Sequence, residues 1–259
     1  LINSNIDEHH RLSPSVMLSY MPFANHDFML RLSAKDAFRM PTMTEQYYYH
    51  FGSKNLRPEK SRQLNLGITF SSVKPQRPLN MKMTADIYIN KVSDKIVAIP
   101  FNMFVWRYLN LTKTVGRGAD LTAELSYALK TCGQLLLTAN YSYQRVGMFE
   151  VREPFVDNQI AYMPKHSGSA TLAWMNRWCN VSTTLSGASQ QWTNNEHNGE
   201  PLPAYSEVAV SVFRTFSLPA AAQLNVSLMI QNLSDKEYSL VALYPMPGRN
   251  IKINVQYKF

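Results

Sequence analysis

The stretch "EQYYYHF" sets Tyr47, Tyr48, Tyr49, His50 and Phe51 in unbroken succession. Phenol rings offer flat faces for stacking and hydroxyls for orientation, the chemistry of a surface that captures a bulky, partly polar ligand. The plainer reading is a loop that packs on its neighbours. Arg107, Trp192, His197 and Tyr244 are further candidates for ligand contact on similar grounds. Bond-making chemistry has no such candidates. His9 and His10 are adjacent rather than facing, His26, His50, His166 and His197 are isolated, and no Gly-rich phosphate loop or nucleophile elbow occurs. Cys132 and Cys179 lack metal-ligand spacing, and whether they pair is left open. The expectation is a binding or transport protein, not an enzyme, with no catalytic residue, metal or cofactor.

The elements that must carry these side chains are strands. Apolar residues alternate with polar ones at Phe28/Leu30/Leu32/Ala34, Leu64/Leu66/Ile68/Phe70, Met81/Met83/Ala85/Ile87/Ile89, Leu121/Ala123/Leu125/Tyr127/Leu129, Leu135/Leu137/Ala139/Tyr141/Tyr143 and Leu224/Val226/Leu228/Ile230. The last twelve residues, "GRNIKINVQYKF", repeat the pattern through Ile251, Ile253, Val255 and Tyr257 to Phe259. Successive side chains of a strand point to opposite faces, so each segment has one apolar and one polar face. With Val16/Leu18/Tyr20, Val208/Val210/Val212 and segments at 104–129, 168–175 and 179–191, about eleven strands are expected and no amphipathic helix.

The connections alternate in length. Those at 21–26, 72–78, 130–133, 175–178 and 217–222 are short; those at 36–62, 91–103, 148–167, 192–203 and 232–248 are longer. Outer-membrane barrels sort loops in this way, with short periplasmic turns and long extracellular loops. No run approaches the roughly 18 apolar residues of a membrane-spanning helix, whereas several strands reach the roughly 9–11 residues that span a bilayer when tilted. Aromatics such as Tyr20, Trp174, Trp178 and Tyr205 gather near strand ends, as at a membrane interface. The net charge of +8 would suit nucleic acid, but the cations are scattered along the sequence. Anionic lipid headgroups or an anionic ligand remain candidate partners.

Three stretches resemble the barrel of TonB-dependent outer-membrane receptors. They are "DAFRMPTMTEQYYYHFGSKNLRPEKSRQLNLGITF" (36–70), "DIYINKVSDKIVAIP…YLNLTKTVGRGADLTAELSYAL" (86–129) and "NLSDKEYSLVALYPMPGRNIKINVQYKF" (232–259). The resemblance leans toward the vitamin B12 and siderophore receptors. It implies an all-β, transmembrane, antiparallel up-and-down barrel in the bacterial outer membrane, of which residues 1–259 form the C-terminal half of 22 strands. Residues 1–14 would be the remnant of an extracellular loop, and Phe259 the assembly signal.

The same resemblance implies a plug domain that this sequence does not show. An N-terminal barrel half bearing the plug is therefore an expected partner, as a separate chain or as more of the same protein. Through it would come the TonB complex; outer-membrane lipid surrounds the wall, and a surface lipoprotein is a further candidate partner. Two other readings compete: a closed barrel of about twelve strands acting as a passive pore or enzyme, and a soluble β-sandwich binding module.

Overall fold

The computed structural model describes residues 12–23, 27–74, 77–100, 105–148, 159–219 and 222–259. Thirteen strands are formed: β1 (Ser15–Tyr20), β2 (Phe28–Arg39), β3 (Glu59–Ser72), β4 (Leu79–Pro100), β5 (Trp106–Leu129), β6 (Gly133–Met148), β7 (His166–Met175), β8 (Asn180–Ala188), β9 (Tyr205–Ser217), β10 (Gln223–Gln231), β11 (Ser239–Val241), β12 (Tyr244–Pro245) and β13 (Asn250–Lys258). Eleven of them make one antiparallel sheet in the order β1-β2-β3-β4-β5-β6-β7-β8-β9-β10-β13. Each strand of this sheet pairs with the next one along the chain, β10 reaching β13 past β11 and β12, the up-and-down topology expected. The eleven main strands match the eleven read from the period-2 pattern; β11 and β12 form a separate small hairpin inside the last long connection.

The faces are sorted opposite to a water-soluble fold. On the apolar face Ile87 is 56% exposed, Leu172 51% and Leu185 50%. In β3 the polar face is less exposed, with Gln63, Asn65 and Thr69 half-buried and Gly67 buried between exposed Leu64, Leu66 and Ile68. A sheet that turns Leu and Ile outward and Asn, Thr and Gln inward is the wall of a membrane barrel. It is one sheet rather than two packed face to face, so the sandwich reading is set aside. No helix among the described residues is long and apolar enough to cross a membrane.

Aromatics border the apolar band. At the long-connection end Tyr141 and His166 join through a 2.7 Å hydrogen bond between the phenol and Nδ1, and the Tyr143 ring lies 5.1 Å from the imidazole. At the short end Trp174 donates from Nε1 to the Cys132 carbonyl at 2.8 Å. Amphipathic rings with one wet edge suit both interfaces. Cys132 and Cys179 are free thiols.

Two expectations need correction. The segment 91–103 is not chiefly a connection: β4 runs to Pro100 and β5 resumes at Trp106, leaving a short link. Its polar run "NKVSDK" reads as loop, but the strand continues because Val97 and Leu109 pack against a buried cluster of Leu111, Val146 and Ile160. The second correction is a helix. Met43–Tyr47 forms α1, one turn held by a capping box in which Thr42 accepts from the Glu45 N–H and Glu45 from the Thr42 N–H. Residues 1–11, with His9 and His10, and His26 lie outside the described residues.

Candidate functional site

The long connections meet at one end of the sheet, and specific hydrogen bonds tie them together. Arg39 bridges two carboxylates, Glu59 at 2.8 Å and Glu45 at 3.0 Å, fixing α1 beside the sheet. Burial works against the charged form of Glu45, but the Thr42 N–H and the Arg39 guanidinium hold its carboxyl below the usual carboxylate range. Asn110 fastens the same connection to β5: its Oδ1 accepts from Arg57 N at 2.8 Å, and its Nδ2 donates to Arg57 O at 2.9 Å and Asp94 O at 2.7 Å. Arg57 also pairs with Asp94 at 2.7 Å.

Gln159 is the second organiser. Almost fully buried, it accepts from Val146 N at 2.9 Å and donates to the carbonyls of Gln144 and Met163. Its own carbonyl lies 2.6 Å from His197 Nε2. The His197 ring stacks on Trp192 at 4.4 Å and 12°, while the Trp192 carbonyl accepts from Tyr162 N at 2.8 Å. Asn195 adds a bond to Ala161 N at 2.9 Å.

These contacts enclose a cleft of about 410 Å³ between the β4–β5 extension, residues 160–163, Asn195 and the β11–β12 hairpin. Lys95, Trp106, Tyr162 and Met163 give it one cation, two aromatic rings and a thioether. The Trp106 and Tyr162 rings lie 6.1 Å apart. Burial pushes the Lys95 ammonium below its usual range, with Glu59 acting in the opposite sense. Burial likewise pushes the Tyr162 phenol up. Tyr162 and His197 hold φ of 59° and 55°, a left-handed backbone uncommon outside glycine. Such a cleft is built to stack a large ring system or aliphatic ligand and to offer it one cation.

The sequence-predicted contacts divide into groups. Trp192 and His197 are brought together and join the network around the cleft through Tyr162 N and the Gln159 carbonyl, without lining the cleft themselves. Tyr47, Tyr48 and Tyr49 are 61%, 57% and 79% exposed at the end of α1, with His50 stacked edge-on to Tyr49 at 3.8 Å. Their loop is joined to β5 by the bond from Tyr108 N to Phe51 O. Arg107 is exposed on β5, next to Trp106. Tyr244 is exposed in β12. Phe259 is fully exposed, its ring 6.1 Å from Tyr257. Lys95, Trp106 and Tyr162 were not singled out by sequence, since nothing in their spacing joins residues so far apart in the chain.

In the final connection Asn232 is almost fully buried at φ 48°, accepting from Lys236 N at 3.0 Å and donating to its carbonyl at 2.8 Å. Asp235 Oδ1 accepts from Arg249 N at 2.7 Å, and the two side chains pair at 3.6 Å. Tyr238 donates to Glu207 at 2.7 Å, and burial with that bond pushes its phenol up to about 12. Among the described residues no group of three His, Cys, Asp or Glu is placed to hold a metal ion.

A single wall, apolar outside and polar inside, with a cleft among its long loops, defines a segment of an outer-membrane barrel. Residues 3–233 match the family described as TonB dependent receptor-like, beta-barrel, and the chain belongs to that family, whose members reside in the bacterial outer membrane. It is 23% identical over 235 residues to the vitamin B12 transporter BtuB of Photobacterium profundum, covering 88% of this chain and 35% of that protein.

The fold is shared with the copper transporter OprC, at TM-score 0.68 and 17% identity over 94% of this chain and 40% of that one. The siderophore receptor PirA of Acinetobacter baumannii gives TM-score 0.63 at 18% identity, over 95% and 41% of the two chains. The FrpB iron transporter of Neisseria meningitidis gives 0.64 at 15%, over 95% and 39%. The chain thus spans about a third of the length of this BtuB relative.

Proposed function

We propose that this chain forms the C-terminal part of the barrel of a receptor that takes up a bulky, scarce nutrient, a cobalamin or a ferric siderophore, with energy supplied through TonB. The observation that carries the reading is the cleft lined by Lys95, Trp106 and Tyr162 where the long connections meet, on a wall whose inward face is polar. Aromatic walls suit a corrin or catecholate ring, and one cation suits an anionic cargo. The Tyr47 to Tyr49 patch, Arg107 and Tyr244 are outer contacts met before the cleft. In this reading the protein is a transporter rather than an enzyme; BtuB, OprC and FrpB are transporters by name.

The rest of the barrel and a plug come, in this reading, from an N-terminal part of the receptor. The support is physical: β1 and β13 are the edges of an open sheet, and unpaired backbone groups facing lipid are not tolerated. In this reading Phe259 serves as the assembly signal.

The test combines two measurements on the assembly extracted from outer membranes. Native mass spectrometry with peptide mapping should find plug-bearing sequence with this chain. Uptake of labelled cobalamin and of a ferric siderophore should favour one and collapse when a protonophore dissipates the proton gradient. A folded, plug-free monomer with uptake indifferent to the protonophore would instead support a small passive pore.

A further inference from the structure

The cations scattered along the sequence are gathered by the register. Leu64 pairs with Ile89, Ile89 with Arg117, and Arg117 with Arg145. One row toward the long connections, Arg62 pairs with Lys91; in the next, Lys60 and Lys113 flank Ser93. Register partners share a face, so Lys60, Arg62, Lys91, Lys113, Arg117 and Arg145 all lie on the outward face of four adjacent strands. Five of them are exposed and Arg145 is half-buried.

Their placement is one-sided in two respects. Along β3, β4, β5 and β6 the outward residues are apolar, aromatic or small through the band and become basic at the same end, next to Tyr143 and His166. On β3 to β6 the inward residues of the same rows, among them Gln63, Asn90, Asn65, Tyr88 and Gln144, carry no charge; on β2 the inward Lys35, paired with Gln63, does. In these rows one carboxylate among the described residues faces outward, Asp36, 3.3 Å from Arg62. With strands about 4.8 Å apart, the patch is roughly 15 Å wide.

We infer that this basic patch is a binding site for the phosphate groups of outer-leaflet lipid. A membrane-facing surface at the edge of the apolar band meets lipid headgroups, and several guanidinium and ammonium groups within that width match more than one phosphate oxygen at once. The site faces away from the cleft, so lipid bound there does not compete with cargo.

The complete receptor in detergent provides the test. Native mass spectrometry after titration with phosphatidic acid should show lipid retained by the wild type. Retention should weaken about fivefold for each cation removed in Arg62→Gln/Lys91→Gln and in Arg117→Gln/Arg145→Gln, while Lys130→Gln in a short turn retains it fully. Phosphatidylcholine should be retained equally by all variants, and inorganic phosphate at millimolar concentration should not displace phosphatidic acid. Equal retention of phosphatidic acid by wild type and patch variants that keep the wild-type heat-modifiable gel mobility would overturn the site. So would displacement by inorganic phosphate, or tighter binding of a single-stranded oligonucleotide than of phosphatidic acid.

Discussion

Arg31 reaches across Gly67 to Asp86, its Nη2 lying 2.9 and 3.0 Å from the two carboxylate oxygens, so that one ion pair straps the inward faces of β2, β3 and β4. The strap needs the missing side chain between them, because a Cβ at Gly67 would stand 2.9 Å from Arg31 Nη2 and overlap the Asp86 carboxylate. Gly67→Ala should therefore destabilise the wall by about 1–3 kcal/mol. Asp86→Ala in the same molecule should relieve most of that overlap, giving clear non-additivity in urea-unfolding midpoints of the lipid-inserted receptor.

Gln159→Ala should loosen the cleft without unfolding the barrel. It removes the partners of Val146 N and of the Gln144 and Met163 carbonyls in a buried setting, at about 1–3 kcal/mol locally. Hydrogen exchange should speed up at Val146 and at residues 160–163 and stay unchanged in β9 and β10. Uniform protection in the variant would deny Gln159 its organising role.

Replacing Tyr47, Tyr48 and Tyr49 together by alanine should weaken ligand capture by at least about tenfold, given roughly 0.5–1.5 kcal/mol per aromatic contact beyond its area. Assembly should be unaffected, since all three are exposed. Trp106→Ala should do more harm to capture than the triple change. Unchanged uptake in the triple variant would remove the tyrosines from the path of the ligand.

The loop carrying α1 should be acid-sensitive. Glu45 has its folded pKa below its ordinary value of about 4.3, so its stabilising contribution is complete above that value and is lost as pH falls through the lower, folded one. Proteolysis within residues 40–58 should accelerate below about pH 4 in the wild type. Glu45→Gln should be cut quickly at neutral pH and show little further change on acidification. Thr42→Ala should behave similarly, through loss of a cap worth about 1 kcal/mol.

Cys132, exposed in the short turn between β5 and β6, reports orientation. A membrane-impermeant maleimide should leave it unlabelled in intact cells and label it after the outer membrane is permeabilised. Labelling in intact cells would invert the barrel.

The strands were legible because a sheet with one face in lipid needs an uninterrupted period of two, and nothing else in the chain competes with that signal. The β4–β5 extension was not, because Lys91, Asp94 and Lys95 look like loop when read one after another, while the contacts of Val97, Leu109 and Leu111 come from residues 146 and 160. Helix α1 was readable in principle, Thr42-x-x-Glu45 being a capping signature, though five residues are too few to show a helical period. The cleft was the least visible part. Lys95, Trp106, Tyr162 and Asn195 have no shared spacing and meet through long-range contacts such as Tyr162 N to Trp192 O and Ala161 N to Asn195 Oδ1. Asn232, Asp235 and Arg249, by contrast, lie within one connection, and their turn and re-entry roles follow from residue type.

The unbroken register from β2 to β6 also governs which changes of length the gene can accept. Adding or removing one residue within Arg62–Phe70 or Met81–Lys91 would rotate the remainder of that strand by half a period, sending cations and leucines to the opposite side. The connection at 40–58 is under no such constraint, and its closure entropy rises only slowly with length. Insertions and deletions are thereby channelled into the long connections, leaving one end of the molecule free to diverge on an unchanged wall.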